Sequence, residues 1–260
     1  MNKSIQLKIE NKVATITLNR PEVFNSFNRE MAFLLHDTLD ACEKNEDVRA
    51  IVLTGNGKAF CAGQDLKEVT DPELNPGFKK ILEEHYNPII TRLRNIKKPV
   101  IGAVNGVAAG AGANIALACD VVVAHEKVSF IQAFSLIGLV PDSAGTFFLP
   151  RLIGFQKALA LAMLGDKISA EEAEKMGMIY KCVSTEEFEE TISKLAVKMA
   201  NMPTKALGLI KELFNKSMTN DLKSQLALES KLQIEAAQSE DYKEGVAAFI
   251  EKRKPNFKGK

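Results

Sequence analysis

Few residues of this chain are set where a side chain could readily do chemistry, and Asp142 stands out among them. It is the one charged residue of Phe134–Leu149, FSLIGLVPDSAGTFFL. A carboxyl group among Phe134, Leu139 and Phe147 is expected to hold its proton more tightly than usual, which suits proton shuttling near neutral pH. The pattern alone also allows a plainer reading. An aspartate that follows a proline and opens an apolar run is a good helix N-cap.

Two small-residue loops offer a different kind of chemistry, carried by the backbone. Between Lys98 and Asp120 the chain has no charged side chain. Val100–Val104 is β-branched and reads as a buried strand, and from Ala109 onward Ala, Leu and Ile predict a buried helix. The loop between them, Asn105-Gly106-Val107-Ala108-Ala109-Gly110-Ala111-Gly112, would leave N–H groups bare at a helix N-terminus, where negative charge binds. That charge is either a phosphate or an oxyanion formed during a reaction. The second loop, Lys58–Lys67 (KAFCAGQDLK), follows a strand RAIVLT and the turn Gly55-Asn56-Gly57, a favoured position for binding in α/β proteins.

Several alternatives fail on spacing. Gly110-Ala111-Gly112 is followed by Ala113-Asn114-Ile115, so the third glycine of a dinucleotide fingerprint is missing. No P-loop and no G-x-S-x-G motif is present. Cys42, Cys61, Cys119 and Cys182 lie far apart, as do His36, His85 and His125, which argues against a disulfide framework or a metal site. With a formal net charge of +1, nucleic acid and acidic membranes are not expected partners. Residues 251–260 do hold five basic side chains against one acid, either a solvated tail or a contact for a phosphate-bearing ligand. The N-terminus lacks an apolar secretory core, so a cytoplasmic location is expected. Pro99–Cys119 is long enough to span a membrane, but Asn105, Asn114 and its β-branched start argue against a span.

Those loops need a scaffold, and the rest of the pattern supplies one. Ile5–Glu10 and Val13–Asn19 alternate around Asn11-Lys12 as a hairpin. Asn28 caps a helix with apolar Met31, Leu34, Leu35, Leu39 and Cys42. Lys79–Ile96 is helical in pattern; Cys119–Ala124, Val128–Phe130 and Ile179–Val183 read as strands, and Phe155–Leu164 as a helix. Ser169 and Glu172 form a capping box. From Thr185 onward the pattern is helical, broken near Pro203 and Asn220. The expected organisation is an α/β core over residues 1–200 and a helical region over 201–260.

The motifs together resemble one family. Ala59-Phe60-Cys61-Ala62-Gly63-Gln64-Asp65-Leu66, Lys98-Pro99-Val100-Ile101-Gly102-Ala103-Val104-Asn105-Gly106 with its Gly110-Ala111-Gly112 loop, and Glu244–Arg253 are similar to the crotonase (enoyl-CoA hydratase/isomerase) superfamily. The resemblance runs over essentially the whole chain, in order. It implies the crotonase (ClpP/crotonase-like) fold of repeated ββα units, a helical C-terminal trimerisation region, and a homotrimer or dimer of trimers. It further implies an acyl-CoA thioester substrate, no cofactor beyond the coenzyme A that is part of the substrate, and no metal. The backbone N–H groups that receive the thioester oxygen fall on Gln64 and Ala111. Coenzyme A contacts fall on Ala62, Gln64, Asp65, Leu66 and Lys67, with Phe249 and Lys252 reaching over from a neighbouring subunit.

The family's hydratases use two glutamates to activate water; here those positions are Asn114 and Phe134, expected to line the acyl pocket, and neither transfers a proton. The family's single-aspartate isomerases look similar around Asp142, especially those acting on ring-1,2-epoxyphenylacetyl-CoA in phenylacetate degradation. The shared residues are Phe130, Ala133, Phe134, Gly138, Leu139, Pro141 and Asp142, with Asn25-Ser26-Phe27-Asn28 and Tyr86-Asn87-Pro88. Ala144 departs from a common glycine. The expected activity is acyl-CoA isomerisation with Asp142 as the one acid/base. Its rivals are an enoyl-CoA hydratase or Δ3-Δ2-enoyl-CoA isomerase of fatty-acid oxidation, and a non-catalytic CoA-thioester-binding protein.

Overall fold

Strands rich in Val and Ile send alternate side chains to opposite faces, and this alternation sorts the core into two layers. The computed structural model describes residues 3–260. Its strands are β1 (Ile5–Glu10), β2 (Val13–Leu18), β3 (Ala50–Gly55), β4 (Ala59–Cys61), β5 (Val100–Val104), β6 (Val107–Ala109), β7 (Val121–His125), β8 (Ser129–Ile131), β9 (Lys167–Ser169) and β10 (Lys181–Val183). They form a larger sheet in the order β1-β2-β3-β5-β7-β10 and a smaller one in the order β4-β6-β8-β9. Pairing is parallel except for the β1–β2 hairpin and the β8–β9 edge.

The chain passes repeatedly from the large sheet to the small one and then into helix: β3 to β4, β5 to β6, β7 to β8. This is the repeated ββα unit the resemblance implies. The helices are α1 (Arg29–Lys44), α2 (Leu66–Thr70), α3 (Phe78–Lys80), α4 (Asn87–Asn95), α5 (Ala111–Leu117), α6 (Gly145–Ile153), α7 (Phe155–Leu164), α8 (Ala170–Lys175), α9 (Phe188–Ala200), α10 (Thr204–Ser217), α11 (Leu222–Ala237) and α12 (Glu240–Ile250). A π-helical stretch, Ile81–Tyr86, joins α3 to α4.

On β3, Ile51 and Leu53 face the main core with Val100 and Val104 of β5. Ala50 and Val52 face the other way and meet Phe188, Ile192, Ala196 and Ala200 of α9. Both faces of the large sheet are thus covered, as its unbroken apolar runs require. Each such Ile or Leu contributes about 1.5–3 kcal/mol by leaving water.

Local signals behave as expected. Asn28 caps α1 by accepting from Met31 N at 3.0 Å, and the Ser169–Glu172 capping box forms. Three expectations change. The 105–112 loop contains strand β6 and its helix starts at Ala111, because Val107–Ala109 pairs with β4 and β8 in the small sheet. The 58–67 loop begins as β4 and ends in α2, capped by Asp65. The last strand shortens to Lys181–Val183, where it pairs with β7. Pro99–Cys119 is divided among β5, β6 and α5, and no helix among the described residues is long and apolar enough to cross a membrane.

Arg49, at the entrance to β3, ties the sheet to the C-terminal helices. It is buried and donates from Nε to Thr204 Oγ1 (2.8 Å), from Nη1 to Phe257 O (2.7 Å) and from Nη2 to Met202 O (2.5 Å). Arg49→Ala leaves these acceptors without a donor and is expected to lower the unfolding free energy by about 3 kcal/mol in urea titrations. A change below about 0.5 kcal/mol would mean that packing alone holds the helices there.

Candidate active site

Two peptide groups define the site, and in both the carbonyl is engaged while the N–H is left bare. In the loop after β4, Phe27 N donates to Gly63 O at 2.7 Å and Asp65 N donates to Phe27 O at 2.8 Å. The 63–64 peptide is trans, so the Gln64 N–H points opposite to the Gly63 carbonyl and away from Phe27. At the start of α5, Gly110 O accepts from Asn114 N at 3.2 Å. The Ala111 N–H is then a first-turn helical donor with no carbonyl behind it. Among the described residues neither Gln64 N nor Ala111 N has a hydrogen-bond partner in the protein.

The two loops are pressed together. A Cβ on Gly63 would lie 3.5 Å from Ala111 N, and one on Gly112 would lie 2.2 Å from Cys61 O. Only glycine at 112 lets the backbones approach this closely.

Asp65 holds its own loop. It caps α2 through Lys67 N (2.9 Å) and pairs with Arg20 (2.8 Å). Ala62, Leu66 and Lys67 face solvent at the rim. The Cys61 thiol lies in the floor, and burial pushes it up to about 12, so it is no nucleophile at neutral pH.

Asp142 is not a helix cap. Helix α6 starts at Gly145, and Ser143 and Ala144, both left-handed (φ 49° and 59°), intervene. Ala144 adopts the conformation that glycine favours. The Asp142 carboxylate is half-buried and accepts from Ser143 Oγ at 2.8 Å. Burial raises its proton affinity above the ordinary carboxylate range, partly opposed by the Ser143 bond.

The Asp142 backbone is anchored to the bare-amide helix. Asn114 Nδ2 donates to Asp142 O (2.9 Å), and Gln132 Nε2 donates to Asn114 Oδ1 (2.8 Å). Asn114, expected to line the acyl pocket, is 1% exposed, and both ends of its amide are used within the protein. Its side chain so fills the turn that a Cβ on Gly145 would lie 2.3 Å from Nδ2. Phe134 is buried, with its ring over Gly110, next to Ala111.

Tyr86 is fully buried, and its hydroxyl donates to Gln64 Oε1 at 3.0 Å. Burial first, then the surrounding acidic groups, raise the Tyr86 hydroxyl well above its usual value. Glu68 joins the site unannounced, bonded to Gln64 Nε2 and Arg29 N, both at 2.7 Å. Neither Glu68 nor Gln132 carries a motif, and each has a partner across the fold, so no signal in the sequence marks them. Phe249 and Lys252 are not brought to the site within one chain. Phe249 is 86% exposed at the end of α12, and Lys252 follows it on the surface.

The arrangement offers two unpaired N–H donors on neighbouring loops, one half-buried carboxylate and an apolar surround. It can stabilise charge developing on a carbonyl oxygen while a proton moves. The chain matches the enoyl-CoA hydratase/isomerase family over residues 8–260. It is 47% identical to the 1,2-epoxyphenylacetyl-CoA isomerase of Escherichia coli (strain K12), with 100% of each chain covered. It is 36% identical to the short-chain-enoyl-CoA hydratase of Clostridium acetobutylicum, over 96% of each. The crystal structure of the enoyl-CoA hydratase from Bacillus anthracis superposes with a TM-score of 0.92 at 33% identity, covering 99% of this chain and 100% of that one.

Burial of Asp142 has a consequence for stability. The folded protein binds the Asp142 proton more tightly than the unfolded chain does. Ionisation therefore lowers stability as pH rises from the ordinary carboxylate value of about 3.9 to the raised folded value, and the deficit is constant above it. Asp142→Asn keeps an oxygen for Ser143 and is expected to be more stable than the parent at pH 7, with the gap closing below about pH 4. Denaturant midpoints at the two pH values test this; a variant less stable at pH 7 contradicts it.

Proposed function

The chain belongs to the enoyl-CoA hydratase/isomerase family, and from that premise we propose that it isomerises acyl-CoA thioesters through a single aspartate, Asp142. The observation that carries this reading is the absence of a second proton-transferring acid at the two positions where the hydratases keep glutamates. Asn114 there is spent on holding the Asp142 turn, and Phe134 is a buried ring. Glu68 and Asp65, the other buried acids by the loop, each have both oxygens engaged, Glu68 with Arg29 N and Gln64, Asp65 with Lys67 N and Arg20.

In this reading the thioester oxygen lies between Gln64 N–H and Ala111 N–H. Removal of an acyl proton puts negative charge on that oxygen, so both bonds strengthen on the way to the enolate, and each contributes about 3 kcal/mol to lowering the barrier. Asp142 receives the proton, the carboxyl proton exchanges with solvent, and Asp142 delivers a proton to another carbon, so no water is consumed. A base must be ionised to act, and the raised proton affinity of Asp142 matches it to a carbon acid better than an ordinary carboxylate.

The likeness to an isomerase named for 1,2-epoxyphenylacetyl-CoA supports a ring-epoxide acyl group as substrate, 2-(1,2-epoxy-1,2-dihydrophenyl)acetyl-CoA. Polarisation of its thioester favours opening toward the seven-membered oxepin isomer. Trimer formation, consistent with exposed Phe214, Leu222, Phe249 and Ile250, would carry Phe249 and Lys252 of one subunit toward the next, with Lys67 and Lys252 suited to the phosphates of coenzyme A.

Incubation with a panel of acyl-CoAs in D2O, followed by mass spectrometry, tests the reading. Expected are isomers carrying deuterium but no added water. Fast, clean hydration of crotonyl-CoA overturns the isomerase assignment. Asp142→Asn is expected to bind thioester while turnover falls at least about a hundredfold. The acid limb of kcat/KM is expected to lie above the ordinary carboxylate range, because burial raises Asp142. Full activity in Asp142→Asn removes the one-base mechanism and leaves a different acid or a binding role.

A further inference from the structure

We propose that Tyr86 and Glu68 are positioning residues that clamp the Gln64 side chain from both ends and so fix the direction of the Gln64 N–H. The inference rests on the reading of that N–H as an oxyanion donor.

The clamp is directional. A carboxylate only accepts hydrogen bonds, and both oxygens of Glu68 do so. Its Oε1 takes Arg29 N and its Oε2 takes Gln64 Nε2, both at 2.7 Å. The amide nitrogen of Gln64 must therefore face Glu68, which turns Oε1 toward Tyr86. The Tyr86 hydroxyl then donates its one proton to that oxygen at 3.0 Å. No other orientation of the amide satisfies Glu68.

Phe27 closes the circuit. Its backbone holds the peptides on either side of Gln64, and its ring meets the Tyr86 ring edge-on, with centroids 6.0 Å apart. Phe27 and Tyr86 are both fully buried and Glu68 is 7% exposed. Tyr86 ends the π-helical stretch Ile81–Tyr86, where the widened turn shifts side chains out of α-helical register and often serves a site. The backbone of Gln64 is thus held through Phe27, and its side chain is held independently through Tyr86 and Glu68. With Cα fixed from both directions, rotation of the 63–64 peptide has little slack. A donor preset in this way is the kind that stabilises developing charge without reorganising.

The test is a double-mutant cycle of Tyr86→Phe and Gln64→Ala, with Asp142→Asn as control, read by acyl-proton exchange in D2O and by kcat and KM on the best acyl-CoA of the panel. Gln64→Ala keeps the N–H and admits water to Glu68 and Tyr86. Tyr86→Phe is expected to lower kcat about tenfold with KM changed less than about twofold, because the donor matters most once the enolate forms. In the Gln64→Ala background, Tyr86→Phe is expected to change kcat less than about twofold, since its partner is gone. An equal loss in both backgrounds would mean that Tyr86 acts on substrate directly, and no loss in either would mean that the clamp is idle; each overturns the proposal. If Asp142→Asn abolishes exchange while Tyr86→Phe matches the parent, the clamp alone fails. If Asp142→Asn retains exchange, the reading beneath it fails.

Discussion

Everything in this molecule that bears on chemistry depends on two peptide groups with their carbonyls tied down and their N–H groups left unpaired. A backbone N–H without a protein partner is costly to the degree that it is shielded from water. The fold sustains them because the engaged carbonyls belong to structures that cannot easily shift. One is locked to Phe27 at the entrance of α1, the other to the first turn of α5. Each loop leaves a strand of the small sheet, and β4 and β6 pair directly, so both loops are set by one sheet. Gly112 then lets them meet backbone to backbone.

A second dependence runs from the helix to the acid. Asn114 lies on the helix that starts with Ala111 and holds the Asp142 carbonyl through its amide. The carboxylate and one bare N–H are therefore parts of the same rigid piece. A glutamate at 114 would bring a proton-transferring group and lose the donor that holds the turn, so the asparagine both removes a second acid and supports the first. The cost appears at Ser143 and Ala144, held left-handed, a conformation that costs a residue bearing a Cβ about 1–2 kcal/mol.

What could be read from the residues alone follows the range of the forces involved. The β1–β2 hairpin, the Asn28 cap and the Ser169–Glu172 capping box were legible because neighbouring residues settle them. The loops holding Gln64 and Ala111 were legible as small-residue segments flanked by apolar runs, and the resemblance assigned their roles. Strands β4, β6 and β9 and helix α2 were missed, because each is only three to five residues long and the strands are fixed by partners distant in sequence. The N-cap alternative for Asp142 fell to two left-handed residues that delay α6 to Gly145. Glu68 and Gln132 were invisible, since neither belongs to a motif and each matters through a hydrogen bond made across the fold.

The most direct test of the account is the carbonyl stretch of a bound thioester, isolated by a 13C label at the thioester carbon and read by infrared difference spectroscopy on Asp142→Asn protein. Two preset donors on one oxygen weaken the C=O bond before any proton moves. The account predicts a band shifted to lower frequency than that of the same thioester in water. A band at or above its aqueous position would contradict it.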